Sequence, residues 1–531
     1  MQEKASSHVK NYMKNMTQNG CWGFSHNPIG KLDDILILSD HEVIFVVGSR
    51  LVILDYAARS KSKIMYLGPT EVTEVLLLSL STDLKYVAAS IKVESGKATM
   101  LIHQIEAHGV SQFRTPRLIT NDASESYLGI SFSANSSLIA AFTNSQSVGI
   151  LIYDRIRQVQ IKSVNVGSLV TNVSFNPDDS SRICTTGALL QFWRCTDKVV
   201  HNAPITGLPR CKSSFTCHIW LPDRRVVVGT DSGELVVVFQ SSVQSVHSAF
   251  GGGANESHSS RRDDKVVAIF AVENTVVAVS PVSTVAVFEV VRLAPSSSAV
   301  GSITVQKALI LKARFRLGPC DSPLKGVQLG IPRKLQLGPI LLVTTQTALT
   351  SYNLSDNQES MGGELSVPSL DPCTDPIEIE PMLQNLLGRV IYKFHGSHID
   401  HLSLSNHSSV LTTLSKKDRS VRVWDGSSPF YSPDAVEDYS ERCDDTPIVI
   451  DLHPSGWTMA CAMKDGTVSE FGITFSGLSF IRLIVDARTP FVSSDGTSYA
   501  TTSPVSLLKV RVEDILVPIL YYMILSNTQS N

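Results

Sequence analysis

Four histidines, His395, His398, His401 and His407, form the densest group of side chains in this 531-residue chain that could bind a metal. A metal site needs them to converge. His398 and His401 lie three apart on a stretch that reads as turn running into strand, so they fall on opposite faces. Paired carboxylates occur at Asp33-Asp34, Asp178-Asp179, Asp263-Asp264 and Asp444-Asp445. General acid–base work needs such groups buried and facing each other, whereas neighbours in polar turns are solvated. The run Gly251-Gly252-Gly253 lacks the Lys-Ser/Thr pair that would hold a phosphate, and it reads as a flexible linker. No GxSxG, HExxH or Ca-loop spacing is present. The nine cysteines are scattered without a CxxC pair; Cys211 and Cys217 lie closest, and all are expected to be reduced and half-buried. No catalytic, cofactor-binding or metal site is expected, and the chain does not read as an enzyme.

His395 has a better use. It opens HGSHIDHLSLSNHSSVLTTLSKKDRSVRVWD, residues 395–425, in which alternating strands are joined by a polar turn and by the tight turn KKDRS. The stretch ends on the Trp424-Asp425 dipeptide of a WD repeat. Asp418 can accept from His395, a hydroxyl from Thr413 or Ser415 can join, and the Trp424 N–H supplies a further donor. Such polar groups are tolerated inside a protein only when they satisfy one another. Asp231 and Asp465 occupy the tight turns of other copies.

One such unit cannot bury its own faces, so it demands neighbours. From Ile35 onward short apolar strands alternate with polar turns. Landmark turns recur at Thr82, Ala134, Pro177, Pro222, Glu273, Pro332, Asn406, Pro454 and Asp495. Their separations run from about 40 to about 75 residues, the longest spanning visible insertions. The fold expected is all-β, built of WD40-type β-propellers: one seven-bladed propeller and an incomplete second one. The boundaries expected are a flexible N-terminus over 1–30, the first propeller over 31–370 and a linker over 371–390. A partial second propeller of about three blades over 391–511 and a divergent tail over 512–531 follow. A fragment, a short isoform and a mispredicted end all fit such a chain.

Charge and hydropathy exclude further classes. A net charge of −3 with a pI near 6.5 gives no nucleic-acid surface. The first twenty residues hold no apolar signal core, and no run reaches the roughly 18 apolar residues of a membrane helix. Basic residues (Lys61, Lys63, Arg224, Arg225, Arg261, Arg262, Lys416, Lys417) fall in turns and loops, as solubilising groups or as contacts for acidic surfaces. Trp193, Trp220, Trp424 and Trp457 are expected in packing between repeats; Trp22 lies outside them.

The serial order of YVAASIKVESGKATMLIHQI (86–105), VSFNPDDSSRICTTG (173–187), TCHIWLPDRRVVVGTDSGELVVVF (216–239), DRSVRVWD (418–425) and LHPSG (452–456) resembles the cilia- and flagella-associated WD-repeat proteins. The resemblance implies two propellers followed by a coiled coil, seated in the axoneme of motile cilia. It implies a non-catalytic scaffold that holds inner dynein arms or regulatory complexes on doublet microtubules, with tubulin a further partner. The protein would be cytoplasmic before assembly, without nucleic-acid, membrane or small-molecule partners. This chain lacks the end of the second propeller and the coiled coil. A general cytosolic WD40 adaptor for a multi-protein complex is the alternative.

Overall fold

The computed structural model describes residues 35–526 apart from short turn segments and the stretches 251–264, 292–307, 331–338, 355–382, 426–445 and 513–519. The N-terminal residues 1–34, with Trp22 and the expected flexible terminus, lie outside the described residues. All described regular structure is β, and it falls into consecutive antiparallel meanders. Sheets 1 to 7 begin at Ile35, Val72, Tyr127, Val170, Phe215, Ala268 and Gly326; sheet 8 covers 401–425 and sheet 9 covers 447–485.

The strands that build these sheets are apolar on both faces. In Val226–Thr230 (VVVGT) all five residues are buried. Consecutive side chains there serve different neighbours: Val226 and Val228 pack with Cys184 and Phe215, whereas Val227 packs with Val276 and Ala278. The same division recurs along the chain. Leu36, Ile44 and Leu51 of sheet 1 meet Val75 and Val87 of sheet 2. Sheet 2 turns Ala88 and Met100 to Phe132 and Ile139 of sheet 3, which turns Ala140 and Ile150 to Val173 and Ile183 of sheet 4. Sheets 4 and 5, 5 and 6, and 6 and 7 share clusters in the same way. The far face of sheet 7 (Leu342, Leu349, Tyr392, Phe394) packs with Ile35, Phe45 and Val52 of sheet 1. The Ile35–Ile37 strand touches Gly326–Gly330, where a Cβ on Gly330 would sit 3.0 Å from Ile37 Cδ1. Sheet 8 adds Leu411 and Trp424 to this seam and gives its other face to sheet 9.

The turn from first to second strand has one geometry in four copies. Leu84, Ser136, Arg224 and Gly456 all have positive φ, from 56° to 77°. Their amides donate to the carbonyls of Ser81, Ser133, Leu221 and His453. In all four copies a side-chain oxygen closes the turn: Asp83 accepts from the Lys85 amide, Asn135 from Ser137, Asp223 from Arg225 and Ser455 Oγ from Trp457. Only Gly456 takes this conformation without a Cβ penalty.

Several expectations are corrected. Most sheets have four strands, one more than the apolar runs of a repeat display. The outermost strand was missed because it faces water: Val159–Asn165 is mostly exposed and reads as polar. The 371–390 segment, expected as a linker, carries one whole strand and the start of a second. Leu383–Leu387 joins sheet 6 as a parallel fifth strand, and Arg389–Lys393 completes sheet 7. Both are short and rich in leucine or branched residues, a signal masked by the acidic, proline-containing sequence just before them. At the other end, the expected tail pairs rather than standing apart: Leu520–Ser526 forms a hairpin with Val505–Val512. The Val505–Val512 strand packs against Pro447–Leu452 of sheet 9.

Leu84 is exposed and holds its φ of 56° for the turn alone. Leu84→Gly is expected to stabilise the chain by about 1 kcal/mol, and Gly456→Ala to destabilise it by a similar amount. Denaturant midpoints of the two variants against the parent check both signs.

Candidate functional site

The tight turn at Lys416–Arg419 fixes the register of the Val410–Ser415 and Ser420–Asp425 strands: Thr413 lies opposite Arg422, and Leu411 opposite Trp424. Thr413 and Trp424 therefore share a face, two residues apart. Trp424 Nε1 donates to Thr413 Oγ1 at 2.7 Å. Thr413 Oγ1 lies 2.7 Å from His395 Nε2, and His395 Nδ1 lies 2.7 Å from Ser420 Oγ. Ser420 Oγ donates to Asp418 at 2.7 Å, and Asp418 also accepts the Gly396 amide at 2.6 Å.

One assignment of protons satisfies every group. The Trp424 N–H donates to Thr413, whose hydroxyl donates to His395 Nε2. His395 Nδ1–H donates to Ser420, whose hydroxyl donates to the Asp418 carboxylate. His395 is then neutral, and burial pushes its pKa below the ordinary histidine value against the pull of Asp418. Burial also works to raise the Asp418 pKa, but the nearby His395 and the hydrogen bonds of Ser420 and Gly396 outweigh it and hold the carboxyl at about 2. His395 Nδ1 is 3.7 Å from Asp418, so Ser420 relays the contact. Ser420 was not anticipated.

The structure thus brings His395, Thr413, Asp418 and Trp424 together. Ser415, the other hydroxyl considered, bonds Ser397 at 2.6 Å instead. Asp425 pairs with Val410 in the strand, and its side chain lies outside the described residues. Asp231 reaches backward in its own sheet, accepting from the Ser214 amide at 3.0 Å and hydroxyl at 2.7 Å. Asp465 is exposed and closes only its own turn, on the Thr467 amide at 2.8 Å.

A second network escaped the sequence reading. The Trp220 N–H donates to Ser174 Oγ at 2.9 Å, and Ser174 Oγ lies 2.6 Å from His218 Nε2. His218 Nδ1 is 3.0 Å from Thr186 Oγ1. The order tryptophan, hydroxyl, imidazole, hydroxyl is the one found at His395, but it ends without a carboxylate. Burial drives the His218 pKa down to about 3. Beside it Trp193 donates to Thr185 at 3.0 Å, with Ile183 opposite Trp193 as Leu411 is opposite Trp424. That Thr and Trp pattern was a readable signal.

The remaining candidates do not converge. His398 pairs with Asp400 at 3.3 Å, His401 is half-buried apart from it, and His407 lies outside the described residues. Among the described residues no group of three or more His, Cys, Asp or Glu side chains is placed to hold a metal. Asp178 faces Arg224, and Asp179 accepts from Ser181 at 2.6 Å. Arg225, expected as a solubilising turn residue, is 3% exposed and bound to Asp223 of its own turn at 2.5 Å. Trp457, expected in packing, is 66% exposed beyond its turn. Cys184, Cys217 and Cys461 are buried rather than half-buried, and with Cys195 they are free thiols.

Two measurements test this geometry. Thr413→Val leaves the Trp424 N–H and His395 Nε2 without partners and is expected to cost about 2–4 kcal/mol, with Thr413→Ser restoring most of it. The second is pH dependence. His218 and His103 sit at about 3 and about 4 in the fold against 6.5 when exposed, both through burial. The unfolded chain binds more protons below pH 6.5, so stability is full above that pH. It falls on acidification toward pH 4 by about 1.4 kcal/mol per unit for each histidine. Unfolding midpoints that stay flat between pH 7 and 5 would contradict neutral buried imidazoles.

Four-stranded meanders stacked face to face are the β-propeller arrangement. No protein-family profile matches the chain. Among solved structures, the chain is similar to the β-propeller domain of Myceliophteria thermophila Cps50 (Swd1), at 11% identity, 75% of this chain, 96% of that one and a TM-score of 0.35. It is similar to the C-terminal WD40 domain of Sif2 at 10% identity, 86% and 99% coverage and a TM-score of 0.41. Among curated proteins, it is similar to cilia- and flagella-associated protein 57 of Mus musculus at 22% identity over 500 residues; the alignment takes in 86% of this chain and 36% of that protein.

Proposed function

We propose that the chain is a non-catalytic scaffold of the motile cilium or flagellum, seated on the axoneme and holding inner dynein arm or regulatory complexes on doublet microtubules. The observation that carries this reading is the alignment with cilia- and flagella-associated protein 57 across 86% of the chain, through both arrays rather than through one repeat. In architecture the proposal is one seven-bladed ring over sheets 1 to 7, ending at Lys393, followed by a partial second array from His401. The packing of sheet 7 back onto sheet 1 supports the count.

The test is fractionation of motile cells of the source organism, followed by mass spectrometry of detergent-stripped axonemes. Peptides from residues 210–430 are expected in the axonemal fraction and are expected to resist detergent. Finding them in the soluble fraction alone would sink the axonemal reading and favour a cytosolic adaptor.

A further inference from the structure

Leu383–Leu387 is held to sheet 6 on different terms from the strands around it. Its neighbour Leu309–Gly318 pairs antiparallel with Thr284–Val290 on one side and parallel with Leu383–Leu387 on the other. Parallel pairing is slightly less stable per residue. Of the five residues in the added strand only Leu386 is buried, in the cluster that holds Phe315 and Leu317. Leu383 and Leu387 are 55% and 81% exposed. The next strand, Arg389–Lys393, is better anchored, since it completes sheet 7 and buries Tyr392. Between the two, the Gly388 amide donates to the Gly318 carbonyl at 3.2 Å, and a Cβ on Gly388 would lie 2.4 Å from the Tyr352 ring. This clasp is firm on its sheet 7 side; on its sheet 6 side one leucine carries the apolar contact.

We propose that Leu383–Leu387 is an exchangeable occupant of the sheet 6 edge, and that an extended segment of a partner chain takes its place as a parallel strand. The resident strand defines what the edge accepts, because its register is fixed. Leu386 lies beside Leu317, Leu383 beside Arg314 and Asn385 beside Arg316. Residues in step on neighbouring strands share a face. Leu386 therefore serves the apolar face, and the two arginines lie on the other. Their cross-strand neighbours on both sides, Ala286 and Thr284, Leu383 and Asn385, carry no charge, and Arg316 is exposed. Glu289, a carboxylate on the adjoining strand, is engaged by Lys312 at 2.6 Å. A competing strand with glutamates at the places of Leu383 and Asn385, and leucine at that of Leu386, keeps the apolar contact and adds two opposite charges. The partner is thus an acidic segment of the pattern Glu-x-Glu-Leu, running in the same direction as Leu309–Gly318.

The inference goes beyond the scaffold reading and does not depend on it, because its probe is synthetic. A fluorescein-labelled peptide containing Glu-Gln-Glu-Leu-Leu is titrated against the full chain by anisotropy. The resident strand competes, so apparent affinity scales with the fraction of chains in which it is released. Saturable binding is expected for the parent. Leu386→Ser, which loosens the resident strand and leaves the acceptor edge intact, is expected to bind at least about tenfold more tightly. Arg316→Glu, at an exposed position, is expected to weaken binding, as is a peptide with lysines in place of both glutamates. Gly318→Cys/Leu387→Cys places two cysteines at paired positions and tests the same exchange without touching the core. Its oxidation is expected to abolish binding, and reduction to restore it. Absence of saturable binding to the parent and to Leu386→Ser alike overturns the proposal. So does equal binding by the oxidised and reduced cysteine pair, or equal binding of the acidic and basic peptides.

Discussion

The structure depends on one constraint: each sheet is apolar on both faces, so no sheet can stand at the end of a stack without cost. At about 25 cal/mol per Å² of apolar area, one bare sheet face outweighs the whole net stability of a typical domain. Val226 and Val227, adjacent in sequence, serve two different interfaces, as do Ile35 and Leu36. A chain of such strands has two ways out. It can cap the last face with something polar, or it can bring the last sheet back to the first. The contact of Leu342, Leu349 and Tyr392 with Ile35, Phe45 and Val52 is the second.

Apolar contact between sheets is non-directional and would tolerate sliding; the hydrogen-bond networks do not. His218 ties its own sheet to Ser174 and Thr186 of the preceding one, a contact that holds in only one register. His395 works at a different kind of seam. It follows Phe394, the residue that leaves sheet 7, and its partners Thr413, Ser420 and Asp418 belong to sheet 8. Trp424 completes the joint twice over, through its N–H to Thr413 and through its ring against Tyr392, 6.4 Å between centroids. The chain is therefore tied to sheet 8 at the point where it leaves sheet 7. Asp465, bonded only within its turn, makes no such link.

What the sequence disclosed follows the same division. Strands buried on both faces announced themselves as apolar runs, and WD chemistry was legible at His395, Thr413, Asp418 and Trp424 because these types sit at a recognisable spacing. Outermost strands such as Val159–Asn165 were silent, since half-wet strands need no apolar pattern. Leu383–Leu387 was hidden for a different reason: it pairs in parallel with a strand of the preceding sheet, a long-range choice that local sequence does not encode. Ser420 and His218 were invisible because a serine or histidine joins a network only once register has placed its partners. Arg225 and Trp457 were misjudged in opposite directions, since the fold of a turn, and not residue type, decided which was enclosed.

The sheets differ in how far they satisfy the two-sided constraint. Around sheets 1 to 7 each face has a neighbouring sheet, so the exposed surface there consists of turns and outermost strands. The second array has no such return among the described residues. Sheet 8 spends one face on the seam at Tyr392 and the other on sheet 9, while sheet 9 meets the Val505–Val512 strand beyond. On the outermost strand of sheet 9, Phe480 and Leu483 stand half in water. Large apolar side chains in that condition cost stability in a free monomer and return it when covered. Among the described residues, the two-sided constraint that sheets 1 to 7 meet among themselves is therefore met only in part by sheet 9.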